Sequence, residues 1–177
     1  MRRLIALTAA LAAAGCASGG EQAPDRPAAR PAQRPPVVIR PLFPADYVAT
    51  AASIDLFVIR SAALATTRAA DPRLRIYAQT LVEDHRGTSA QLSFGGRRLN
   101  LVPAAVLRPE HQAMLDALTG TGAFDALYRR QLTAVHEQAL ALHGAFAQRG
   151  ESPTLRAVAA NALPIERRHL QQLRAFR

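Results

Sequence analysis

Five histidines, His85, His111, His136, His143 and His169, are the residues of this 177-residue chain best suited to chemistry. A neutral imidazole donates a hydrogen bond from one ring nitrogen and offers a lone pair on the other. On an inward helix face it is therefore either a metal ligand or a hydrogen-bonded core group. Leu74, Tyr77, Leu81, His85, Thr88 and Leu92 recur at intervals of three and four, and so do Leu155, Val158, Ala162, Ile165, His169, Leu173 and Phe176. Both stripes predict inward helical faces, with His85 and His169 shielded from solvent. His136 lies beside the inward stripe of a third helix, one turn from Leu132 and Leu140. Glu166 stands three residues before His169. This Glu-x-x-His spacing aims a carboxylate and an imidazole at one ion. Asp84, next to His85, and Asp55, on or near the inward face of an earlier helix, are the further carboxylates. The set is thin in carboxylates, and Val82 occupies the position three before His85. Neutral core histidines bonded to Asp84, Tyr77 or Tyr128 are therefore the first reading. A divalent metal site built from His85, His136, His169 and Glu166, helped by Asp84 or Asp55, is the alternative. His111, at the start of a short helix, reads as exposed, and His143 fits either role.

Other chemistries find little support. One Cys, at position 16, excludes an internal disulfide framework and a Cys-based zinc site. No Gly-x-Ser-x-Gly elbow occurs, and no catalytic residues are assigned, so the expectation is a non-enzymatic protein. The formal net charge is +9, but the basic residues, all Arg, are spread along the chain without a concentrated face, so no nucleic-acid partner is expected.

The elements that must position these side chains read as helices. Aromatics make up only 5% and Ala is abundant, which favours helix over strand. A first helix is predicted over about 45–69, with Val48, Ala52, Leu56, Ile59 and Ala63 inward. Asp71-Pro72 stops it and starts a second, to about Phe94, which Gly95-Gly96 should cap. After a Pro-containing stretch with one short helix near 109–118, a long helix spans about 123–148 and ends at Gly150. Ser152-Pro153 starts the last, which Pro164 should kink. Two tightly joined helix pairs separated by a long connection predict an all-α, ferritin-like four-helix bundle with one crossover carrying a short extra helix.

Before this domain, at 44–177, the chain reads as an address and a tether. Arg2-Arg3 followed by uncharged Leu4 to Ala14 is a signal-peptide pattern, too short to span a bilayer. Ala13-Ala14-Gly15-Cys16 resembles the lipobox of bacterial lipoproteins, which makes residues 1–15 the signal peptide and Cys16 the lipid-bearing residue. Ala17, rather than Asp, after the Cys implies the outer membrane, facing the periplasm. An ordinary secretory signal giving a soluble periplasmic protein is the alternative. Residues 16–43, rich in Pro and Arg, form the linker.

Several segments carry a family resemblance. They are Leu64-Ala65, Tyr77-Ala78-Gln79-Thr80-Leu81-Val82-Glu83-Asp84-His85, Arg108-Pro109-Glu110-His111-Gln112, Gly122-Ala123-Phe124-Asp125-Ala126-Leu127-Tyr128, His136, and Leu163-Pro164 followed by His169. In order and spacing they resemble the bacterial domain-of-unknown-function family 4142, described as predicted outer membrane proteins with a ferritin-like bundle. The resemblance implies that His85, His136, His169 and Asp84 are characteristic polar positions. It also implies a Glu where this chain has Val58 and an Asp where it has Val135. The combined expectation is a membrane-anchored envelope lipoprotein acting as a binding or envelope-maintenance module with a protein or cell-wall partner. The rival is a metal-binding or redox protein.

Overall fold

The computed structural model describes residues 42–176. Cys16, the signal sequence and nearly all of the linker lie outside the described residues. Five helices follow one another: α1 (Pro44–Arg68), α2 (Pro72–Arg97), α3 (Pro109–Gly120), α4 (Phe124–Arg149) and α5 (Pro153–Ala175). Among the described residues only an isolated bridge between Leu42 and Gly150 has β character.

The helix starts follow local chemistry. The Asp71 side chain accepts from the Arg73 backbone N–H at 2.8 Å, with Pro72 in the first turn. Ser152 Oγ accepts from the Leu155 N–H at 3.3 Å, with Pro153 in the first turn. Each cap satisfies an orphan donor while Pro supplies a preset φ. The Asp125 carboxylate accepts from the N–H groups of Ala70 and Asp71, both at 2.9 Å, and so ties the α1–α2 turn to the start of α4.

Two expectations need correction. Helix α2 does not stop at Gly95-Gly96 but runs through them, because its terminator lies further on. Asn100 adopts the left-handed conformation (φ 56°). The Leu101 N–H donates to Gly96 O at 2.9 Å and the Asn100 N–H to Arg97 O at 3.1 Å. This pair of bonds is a Schellman cap. The predicted inward stripe of α1 holds at Val48 and Ala52, both buried, and is displaced beyond them. Leu56 and Ile59 are half-buried and Ala63 is exposed, whereas Ala51, Ile54, Val58, Ala62 and Ala65 are buried. The helix is apolar almost all round, so period alone cannot choose a face. By length and composition α1 could cross a membrane, but it is a core helix, packed against α2, α3 and α4. Pro164 lies inside α5, which is one continuous helical run.

Helix α1 packs on α2, and α4 on α5; the pairs meet through α1 with α4 and α2 with α5. The α2–α4 connection carries α3, which lies against α1 and α4. This is the four-helix bundle with one crossover that the sequence predicts. Two apolar clusters fill it. One includes Ile54, Val58, Leu81, Leu132 and Leu173, and the other Tyr47, Ala51, Leu92, Phe146 and Leu155. The buried polar side chains Asp55, His85, His136, Glu166 and His169 form a layer between them.

Candidate metal centre

Each of the four long helices contributes to that layer. His85, His136, Glu166 and His169 are fully buried at 0% exposure. Their ligand-type atoms all lie within 4.8 Å of one another. The three imidazole centroids form a near-equilateral triangle, 5.2 Å from His85 to His169, 5.3 Å from His136 to His169 and 5.5 Å from His85 to His136. Glu166 Oε2 is 3.9 Å from His136 Nε2.

The outer nitrogen of each ring is tied to a group that can only accept. His85 Nδ1 donates to Asp55 Oδ1 at 2.8 Å, His169 Nε2 to Asp84 Oδ2 at 2.8 Å, and His136 Nδ1 to the Leu132 carbonyl at 2.7 Å. Because an ionised carboxylate or a carbonyl has no proton to give, each bond fixes the tautomer of the neutral ring. The lone pair is then left on His85 Nε2, His136 Nε2 and His169 Nδ1. Those three atoms, with both oxygens of Glu166, are enclosed and have no hydrogen-bond partner among the described residues. Buried polar atoms are ordinarily satisfied, so five orphans converging on one point need an explanation.

The outer groups are themselves held. Thr88 Oγ1 donates to Asp55 Oδ1 at 2.9 Å, Arg168 Nη2 donates to Asp84 Oδ2 at 2.8 Å, and the Tyr77 hydroxyl donates to the His169 carbonyl at 2.9 Å. Asp55 and Asp84 therefore stand outside the four-residue cluster; each lies behind an imidazole and orients it. Asp84 is placed there because it lies roughly 100° round α2 from His85. From that position it faces α5 at the rim of the layer.

Electrostatics follow from burial. Burial pushes His136 down to about 3, helped by the neighbouring His85 charge. It pushes His169 down to about 4 against the pull of Asp84. The Glu166 carboxyl is driven up to about 7 by burial, with His85 opposing. Burial also lowers His85, but the Asp55 hydrogen bond and the charges of Glu166, Asp55 and Asp84 outweigh it and hold its proton above the ordinary range. Near neutral pH, His136 and His169 thus present free lone pairs.

The remaining histidines stand outside the cluster. His111, expected to be exposed, is fully buried. It bonds Ser53 Oγ at 2.7 Å through Nδ1 and Gln138 Oε1 at 3.2 Å through Nε2, while Ser53 Oγ also accepts from the Arg108 N–H at 2.8 Å. These partners on α1 and α4 let a polar ring clamp the start of α3 inside the fold. His143 is buried and bonded at 3.0 Å to the Tyr47 hydroxyl. Of the tyrosines that the sequence offers as partners, neither holds a ring: Tyr77 bonds a backbone carbonyl, and the buried Tyr128 hydroxyl has no partner among the described residues.

Comparison with known proteins bears first on the family. The family model described as Domain of unknown function (DUF4142) matches residues 28–176, most of the chain. The chain belongs to this family. No curated protein sequence matches it. Among solved structures, this DUF4142 domain is similar to CopM in its Cu(II)-bound form, with a TM-score of 0.66 and 17% identity over 77% of this chain and 97% of that one. It is also similar to the Ag-bound form, with a TM-score of 0.63 and 15% identity over 76% and 95%. The Cu(I)-bound form matches with a TM-score of 0.64 and 15% identity over the same shares. At this identity the likeness establishes a shared helical-bundle fold.

Proposed function

We propose that this DUF4142 protein binds one divalent transition-metal ion inside its bundle, through His85 Nε2, His136 Nε2, His169 Nδ1 and Glu166, and does so as a module of the cell envelope. The observation that carries the reading is the convergence of enclosed, unpartnered ligand atoms whose opposite ring nitrogens are all tied back. A set of core histidines placed for packing alone has no reason to point its free lone pairs at one another and at a carboxylate. With bonds of ~2.0–2.1 Å, a tetrahedral ion holds its ligands roughly 3.3 Å apart, so the free atoms need only a modest inward closure.

The donor set selects the ion class. Three imidazoles and one carboxylate suit Cu(II) or Zn(II), with Cu(II) held more tightly in the usual order of divalent stabilities. CopM has been captured with Cu(II), Cu(I) and Ag. Soft Cu(I) and Ag(I) prefer sulfur, and this cluster contains none. Four protein ligands in a closed layer favour holding the ion over turning over a substrate, since catalytic sites keep a coordination position open.

Asp55 tests the arrangement without replacing any of the four ligands. Asp55→Ala is expected to weaken Cu(II) binding about 10–100-fold, because His85 loses the acceptor that orients it. Competition titration against a chelator checks this, and unchanged affinity would count against the second layer. Anchoring through Cys16 to the outer membrane, on the periplasmic side, is the other half of the proposal. Cys16→Ser is expected to yield a soluble or unprocessed product in cell fractionation. A variant that still carried acyl chains and sedimented with membranes would remove the lipoprotein reading.

A further inference from the structure

An ion bound in a fully enclosed layer must have a way in. Towards the ends where α2 and α4 begin and α5 finishes, the layer is closed by Tyr77, Leu81, Tyr128, Leu132 and Leu173, all buried. Towards the opposite end lies a cavity of about 10 Å³, lined by Tyr47, Asp55, Thr88, Gln91 and His143 among others. That space holds roughly one water, and so one small ion. It continues the same inward faces. Thr88 follows His85 by one turn of α2, His143 follows His136 by two turns of α4, and Ala162, which also lines the cavity, precedes Glu166 by one turn of α5.

Asp55 joins the two compartments. Its Oδ1 bonds His85 and Thr88, while its Oδ2 has no partner among the described residues. His143 is tied through Nδ1 to Tyr47, which leaves its Nε2 without a partner among the described residues. Neither Asp55 Oδ2 nor His143 Nε2 is among the enclosed orphan atoms, unlike the free nitrogens of the inner cluster. Gln91, at the edge of the same cavity, is exposed to solvent.

We infer that the Asp55–His143 cavity is the uptake route of the metal centre, a transient cation station through which a divalent ion passes from the Gln91 surface to the His85–His136–Glu166–His169 cluster. The inference rests on the reading of that cluster as a metal centre. A carboxylate and an imidazole exchange an ion between them without stripping it bare, and Asp55 already touches the first inner ligand.

A route that is not the destination changes rates and leaves the equilibrium alone. Stopped-flow mixing of the full chain with Cu(II), read by tyrosine fluorescence, gives the uptake rate, and transfer to excess chelator gives release. His143→Leu, which removes the station's imidazole, and Ala162→Val, which fills the cavity, are each expected to slow uptake and release together by about tenfold, with one ion still bound at saturation. Gln91→Leu, at an exposed position, provides the same test where folding is not at risk. Unchanged uptake in all three variants, with stoichiometric binding, would overturn the route while leaving the centre intact. Faster release from His143→Leu would make His143 a ligand of the resting ion and likewise overturn it. Failure of the unaltered protein to bind Cu(II) would remove the centre itself.

Discussion

Glu166→Gln is expected to raise the stability of the metal-free domain at pH 8 and to weaken Cu(II) binding by more than roughly a hundredfold, exceeding the cost of losing a supporting group. Burial lifts the folded-state carboxyl from the ordinary 4.5 to about 7. Between those values the folded chain holds a proton that the unfolded chain has released. The favourable contribution is therefore complete below about pH 4.5 and is lost as pH rises through about 7. At pH 8 the folded state must carry an ionised carboxylate in an enclosed layer, at a cost on the order of 3 kcal/mol. Glutamine has the same shape and no charge. Denaturant unfolding in chelator should therefore show a gain on the order of 1–3 kcal/mol at pH 8 and little change at pH 4. A variant less stable than the parent at pH 8 would mean that the ionised Glu166 is well paired without metal, contrary to its lack of partners. Opposite effects on binding and stability are the mark of a residue kept for its ligand.

Mild acid is expected to unfold the metal-free domain. Burial holds the folded-state values of His136 near 3 and of His143 and His169 near 4, against an ordinary 6.5. Below 6.5 the unfolded chain binds protons that these three rings refuse, so stability falls as pH drops towards the folded-state values. Every tenfold loss of proton affinity on folding is worth about 1.4 kcal/mol per group. Glu166 opposes this fall between about 7 and 4.5, and His85, whose value is raised, opposes it too. The steepest loss should therefore come below about pH 5, where Glu166 has finished titrating. Melting temperatures in chelator from pH 8 to pH 4 check this. A flat profile across that range would show that the rings are protonated within the fold.

The legible parts of the molecule are those governed by local rules. Asp71-Pro72 and Ser152-Pro153 start helices because their side chains and fixed φ act within one turn. The 3.6-residue period on α2 and α5 puts His85, Glu166 and His169 inward because polar residues cover the other faces. What could not be read depends on neighbours distant in sequence. No local signal tells that Asp55, thirty residues earlier, rather than adjacent Asp84, is the partner of His85. The pairing of His169 with Asp84 spans two helices, and the Leu132 carbonyl behind His136 is a backbone group with no sequence signature. His111 reads as a surface residue from its sequence neighbours because the burial of α3 is decided by its contacts with α1 and α4. The poverty of carboxylates, by contrast, is legible from the residue types alone. One carboxylate in the four-residue cluster and two behind it leave a nitrogen-rich set, which suits copper or zinc.

The most direct test is Cu(II) binding to the full chain, followed by stoichiometry and electron paramagnetic resonance. All five histidines are buried, so surface imidazoles do not compete. One tightly held ion per chain is expected, with a spectrum of three nitrogens and one oxygen that disappears in His136→Ala. Absence of a tight ion, or an unchanged spectrum in His136→Ala, would contradict a metal centre in the bundle core.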